Sequence, residues 1–127
     1  MKKIAFLTFL LVALCGSVNA QSKQKELPSD AKTAQISIPG YCCKGLNSTI
    51  ETTLAYERGV ISWTLSPEQK NVTVLYRSTK TTPDKIEKAL SENGVRTEHY
   101  AANPRAIKDL PKCCQPAARG QESNCNH

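Results

Sequence analysis

The chain has 127 residues, 17 lysines and arginines against 11 aspartates and glutamates, a formal charge of +6, and six cysteines. This length fits one small domain with a modest core. The basic residues are scattered and aromatics make up only 6%, so no run resembles a nucleic-acid footprint and no nucleic-acid partner is expected.

Met1-Lys2-Lys3, the apolar run Ile4 to Leu14 and the small-residue site Val18-Asn19-Ala20 read as a secretory signal peptide cleaved after Ala20. It is too short to anchor in a membrane. A lipoprotein signal using Cys15 is the rival reading, and Leu14 is a poor fit for it because a small residue belongs there. Cleavage leaves 127 − 20 = 107 residues, a charge of 15 − 11 = +4, and five cysteines. The expected location is therefore secreted or periplasmic, an oxidising compartment in which paired cysteines are usually bonded. An odd count leaves one thiol over or pairs it between chains.

Residues 21–32 are polar and charged and read as a flexible leader. Thr33 to Ile38 alternates into a strand, stopped by Pro39-Gly40. Cys42 and Cys43 follow, where a strand ends and a helix begins. A helix N-terminus favours thiolate over thiol. Leu46, Ile50 and Leu54 place one apolar face on a helix from Lys44 to Tyr56, ended by Gly59. Val60 to Leu65 reads as a strand with Ile61, Trp63 and Leu65 on one face. A turn at residues 66–71 leads to a third strand marked by Val72, Val74 and Tyr76.

Thr82 as N-cap and Pro83 at N1 open a second helix, with Ile86, Ala89 and Leu90 inward and Asn93-Gly94 at its end. Val95 to Ala101 reads as a fourth strand. The order β-α-β-β-α-β predicts an α+β, ferredoxin-like sandwich: a four-stranded antiparallel sheet with both helices on one face. Residues 102–127 form a C-terminal extension. Asn103 to Leu110 predicts a short helix with Ile107 and Leu110 inward, Cys113-Cys114 follow Pro111, and Gln115 to His127 reads as a mobile tail.

These residues resemble the heavy-metal-associated domain family, which includes small copper chaperones, modules of metal-transporting P-type ATPases and a periplasmic mercury-binding protein. The likeness runs from about Ala34 to Ala101, within a domain expected over residues 33–101. Gly40, Cys43, Ile50, Glu51, Leu54, Gly59 and Val60 fall in register with the family's metal loop and first helix. Thr81, Thr82, Pro83, Asp84, Ile86, Ala89, Leu90 and Gly94 match its second half. The metal loop departs from the pattern: Leu46 stands where the second cysteine of a Cys-x-x-Cys belongs, Tyr41 replaces the usual methionine, and Cys42 is an extra thiol.

The resemblance implies a metal carrier or sequestering chaperone for a soft ion, Cu(I) first with Hg(II) and Zn(II) as further candidates, serving a membrane metal transporter; the chain is expected to be a monomer. The candidate ligands are Cys42, Cys43, Cys113 and Cys114, with Cys125 and His127 as further donors; two thiolates suit a soft ion. The extension is expected to return Cys113 and Cys114 toward Cys42 and Cys43. The alternative is a disulfide-stapled interaction module that has lost the metal site, the staple closing a long loop from Cys42-Cys43 to Cys113 or Cys114. A thiol oxidoreductase is a third option that lacks a Cys-x-x-Cys. No triad, paired-carboxylate site or phosphate loop is visible, so the chain is not expected to be an enzyme.

Overall fold

The computed structural model describes residues 26–41 and 44–122. Three strands, β1 (Ala31–Ser37), β2 (Val60–Ser66) and β3 (Asn71–Arg77), form an antiparallel sheet in the order β1-β3-β2. Helices α1 (Gly45–Tyr56) and α2 (Pro83–Glu92) cover it, and two one-turn helices, α3 (Pro104–Ile107) and α4 (Gln115–Ala118), follow. The signal-peptide reading of residues 1–20, the Cys15 alternative and the start of the leader lie outside the described residues.

The sheet is one-sided because its strands alternate. Ala34 and Ile36 of β1 stand opposite Val74 and Val72 of β3, which stand opposite Trp63 and Leu65 of β2. That face meets Leu46, Ile50 and Leu54 of α1 and Ile86 and Leu90 of α2 in one core. Thr33, Gln35, Ser62 and Thr64 are exposed on the opposite face. Period two on the strands and near four on the helices thus bring every apolar stripe to one layer. In β2 a bulge between Val60 and Ser62 sets Val60 opposite Tyr76. Val60, rather than the expected Ile61, therefore packs on the core with Trp63 and Leu65.

Both helix boundaries follow local chemistry. The Thr82 hydroxyl accepts from the Lys85 N–H at 3.3 Å, with Pro83 in the first turn. Gly59 and Gly94 end the two helical units with φ of +94° and +91°. A Cβ on Gly94 would stand 3.1 Å from the Ala106 carbonyl carbon, so this corner needs glycine for space as well as for its left-handed backbone.

Three expectations are corrected. The leader is not loose as far as residue 32: β1 begins at Ala31, and Asp30 is tied to the end of β3. Its backbone carbonyl accepts from the Ser78 N–H and Oγ, both at 2.9 Å, and its carboxylate accepts from Arg77 Nε at 3.2 Å and from the Thr79 hydroxyl. Residues 115–118 are not a mobile tail but α4, with Ala117 and Ala118 buried; Gln115 Nε2 caps the preceding turn by donating to the Leu110 carbonyl at 3.0 Å.

The third correction concerns the fourth strand: the sheet has three strands among the described residues, and Val95 to Ala101 does not join it. Val95 and Thr97 are buried as a strand would bury them. The segment makes one bond to β1, Glu98 N–H to the Ser37 carbonyl at 3.2 Å, and then turns, with the Thr97 N–H donating to the Tyr100 carbonyl. Side chains redirect it to α2. His99 Nδ1 lies 3.0 Å from both Glu87 carboxylate oxygens, and the Tyr100 hydroxyl donates to Asp84 Oδ1 at 2.7 Å.

The His99 contact is charge-dependent. Glu87 raises the His99 pKa above its ordinary 6.5, first by the hydrogen bond and then by its charge, aided by Glu98 and Asp84 and opposed by desolvation. A raised folded-state pKa means that the pin contributes fully below the ordinary histidine value and is lost as pH rises through the raised one. Glu87→Gln is expected to return the His99 titration, followed by NMR, toward the ordinary value. It should also flatten the loss of stability across that pH window. A His99 titration unchanged in the variant would show that Glu87 is not the partner.

Candidate metal-loop site

The loop that carries Cys42 and Cys43 is defined by what stands on either side of it. Upstream, Ile38 ends against the β2–β3 turn through its N–H to the Lys70 carbonyl at 2.8 Å, and Tyr41 closes a tight turn on Ile38 at 2.9 Å. Tyr41 is 2% exposed, and its hydroxyl donates to Asn47 Oδ1 in the first turn of α1. Burial and, secondarily, the nearby Glu51 charge raise its pKa, so it stays a neutral donor. Tyr41 therefore staples the two ends of the loop together. Downstream, α1 starts at Gly45 after Lys44, with no side-chain cap on its first N–H groups and no acidic residue in its first turn. Among the described residues nothing neutralises the positive end of the helix, a setting that favours a thiolate.

Leu46 is part of the core at 2% exposure. The place where the resemblance would put a second cysteine is thus spent on packing.

The C-terminal extension supplies a candidate. Ile107 and Leu110 bury as expected, at 3% and 5% exposure. After Pro111 the chain turns into α4 beside the loop. A Cβ on Gly45 would stand 3.0 Å from Pro111 Cγ and 3.5 Å from Cys114 Sγ. A Cβ on Gly40 would stand 3.1 Å from the Ala117 carbonyl oxygen. The two glycines that bracket Cys42 and Cys43 are both in close contact with the segment that carries Cys113 and Cys114.

Cys114 is 1% exposed, and Cys113 is exposed on the outer side. Their sulfurs are 3.8 Å apart. Cys114 stands in a disulfide; a separation of 3.8 Å from Cys113 Sγ is far beyond the ~2.05 Å of a sulfur–sulfur bond. Cys42, Cys43, Cys125 and His127 lie outside the described residues. Among the described residues, no three His, Cys, Asp or Glu side chains group to hold a metal. His99 belongs to the α2 pin instead.

Sequence reasoning did not foresee the contact made by Gly40, Gly45, Pro111 and Ala117. Its signal was present in two glycines, each two residues from the cysteine pair, where a close approach of backbone is the usual reason for glycine.

These elements define an α+β fold with a three-stranded antiparallel sheet and its helices on one face. A crystal structure of oxidized MerP from Ralstonia metallidurans CH34 has a similar fold, with a TM-score of 0.51 and 24% identity over 54% of this chain and 94% of that one. No protein-family model and no curated protein matches the chain. No helix among the described residues is long and apolar enough to cross a membrane.

Proposed function

We propose that the protein is an exported carrier for a soft heavy-metal ion, holding it through thiolates of the 42–43 loop and of Cys113-Cys114 and passing it to a membrane transporter by ligand exchange. The observation that carries this reading is the packing of Gly40 and Gly45 on the 111–118 segment. It returns the segment that carries Cys113 and Cys114 to the glycines on either side of residues 42 and 43. The uncapped start of α1 adds a positive field at that place.

In this reading the Cys114 disulfide reaches back to the loop, to Cys42 or Cys43, and represents the oxidised, closed form. Two-electron reduction by an external dithiol, itself oxidised to its disulfide, frees thiolates from both segments for a thiophilic ion such as Cu(I) or Hg(II). The protein performs no reaction of its own; the transfer is an exchange of sulfur ligands.

Competition against a chelator, on the reduced protein without oxygen, tests this with Cu(I) and with Hg(II). Tight binding is expected in the parent, and both Cys43→Ser and Cys113→Ser should weaken it at least tenfold, about 1.4 kcal/mol. Affinity unchanged in both variants, or no binding in the parent, would leave a disulfide-stapled module as the better account.

A further inference from the structure

The two edges of the sheet differ. Hydrogen-bonded and non-bonded pairs alternate along antiparallel strands, so a few backbone bonds fix which groups face outward. The Ile38 N–H donates to the Lys70 carbonyl at 2.8 Å and continues the register of Ile36 opposite Val72, so the even-numbered residues of β3 bond to β1. The Arg77 N–H donates to the Gly59 carbonyl at 2.8 Å, so the odd-numbered ones bond to β2. Thr64 and Ser66, opposite Thr73 and Asn71, therefore use their backbone groups on β3. Those of Trp63 and Leu65 point away from the sheet.

On the other edge, β1 carries the charge of Lys32, and its Ser37 carbonyl already accepts from Glu98. β2 has neither protection. Val60–Ser66 contains no charged residue and no proline, and β3 is its one strand neighbour among the described residues. An uncharged edge with unpaired N–H and C=O groups is a template for another strand. The bulge between Val60 and Ser62 confines the regular stretch to residues 62–66.

The sequence of that stretch specifies its partner. Ser62-Trp63-Thr64-Leu65-Ser66 has hydroxyl side chains at its ends and centre and apolar ones between. Antiparallel pairing of two copies about Thr64 sets serine against serine, Thr64 against the partner's Thr64, and Trp63 against the partner's Leu65. In this register the residues that exchange N–H···O=C bonds are Trp63 and Leu65, the two whose groups point outward. The faces match as well. Trp63 and Leu65 are only partly buried against the core, and Thr64 is exposed on the opposite face. Apolar side chains meet apolar ones, and hydroxyls meet hydroxyls. Leu65 also lines an open cavity of about 430 Å³ with Lys44 and Pro67, and the partner's Trp63 would stand beside it.

We propose that β2 is the contact edge of a two-fold dimer of this chain, the two sheets joining into one continuous sheet ordered β1-β3-β2-β2-β3-β1. Each strand both donates and accepts, so the contact is isologous and closes at two copies. The dimer replaces the monomer expected from the sequence and does not depend on the metal reading.

Sedimentation equilibrium of the full, metal-free chain with thiols blocked measures the association, and amide hydrogen exchange at low and high protein concentration locates it. A concentration-dependent dimer is expected. Raising the concentration should slow exchange of the Trp63 and Leu65 amides, while the Thr33 and Gln35 amides on the β1 edge stay fast. Thr64→Lys sets two like charges opposite each other at the axis and should weaken the dimer at least tenfold; Thr64 is exposed, so the variant keeps its fold. Thr33→Lys, the same change at an exposed position of β1, should leave the dimer unchanged. Three results would overturn the assignment: a chain that stays monomeric at every concentration, protection that maps to β1 instead, or a dimer equally tight in Thr64→Lys. The last is what a disulfide between chains or the apolar run Ile4 to Leu14 would produce.

Discussion

Gly40→Val is expected to separate the extension from the cysteine loop. Gly40 is buried, and a Cβ there already meets the Ala117 carbonyl oxygen at 3.1 Å. That neighbour is backbone in a helical turn and cannot rotate away. Valine adds two further methyl groups, so α4 must move. Overpacking of this kind costs about 2–3 kcal/mol, measured by denaturant unfolding. An effect of similar size is expected on the proposed soft-metal site. Moving α4 carries Cys113 and Cys114 away from the loop, and the affinity of the reduced protein should fall by roughly a hundredfold, about 2.7 kcal/mol. Gly45→Ala provides the graded comparison. Its nearest obstacle is the edge of the Pro111 ring at 3.0 Å, which can shift, so both losses should be smaller. A Gly40→Val protein that binds metal as tightly as the parent would show that the extension contributes no ligand.

The second large effect is at Leu46. Leu46→Ala is expected to cost about 3 kcal/mol, because the side chain is 2% exposed among Ile50 and the sheet and its loss leaves a cavity. Leu46→Cys writes a Cys-x-x-Cys into the chain. The thiol should nonetheless refill part of the core and cost about 2 kcal/mol. A buried leucine at this point is compatible with the proposed site, whose second donor would arrive from another segment. Unfolding curves of the two variants check the order of the losses. A Leu46→Cys protein as stable as the parent would mean that position 46 is not committed to the core.

The two long helices and three strands were legible because each has a local cause. Leu46, Ile50 and Leu54 set a helical period, Thr82-Pro83 is a capping pair, and Val72, Val74 and Tyr76 alternate. The fourth strand was misread for a physical reason. Val95 and Thr97 do alternate into the core, but His99 and Tyr100 find Glu87 and Asp84 on α2. Such contacts between side chains distant in sequence have no signature in periodicity. The same applies to the bulge at Val60–Ser62, which moves Val60 into the position expected of Ile61.

The extension was harder to read. Residues 115–122 are polar and contain proline and glycine, the composition of a tail. Yet Cys114, Ala117 and Ala118 are spaced three and four apart and are all buried. Small residues at helical spacing carry a weak apolar signal, and Pro116 at the start of α4 serves as a helix opener rather than a breaker. Of the candidate site, the pairing of cysteine motifs suggests a returning extension, whereas the contacts of Gly40 and Gly45 with the 111–118 segment are visible only in three dimensions; Cys42 and Cys43 themselves lie outside the described residues.

The central claim is that the extension brings its cysteine pair onto the 42–43 loop. Tryptic mapping of the oxidised protein by mass spectrometry, with thiols blocked and no reductant, tests it most directly. Cleavage after Lys32, Lys44, Lys112 and Arg119 isolates a peptide of residues 33–44 and one of residues 113–119. The account predicts that these two are joined by a disulfide and separate on reduction. A 113–119 peptide joined instead to the C-terminal peptide with Cys125, or recovered with both thiols blocked, would contradict it.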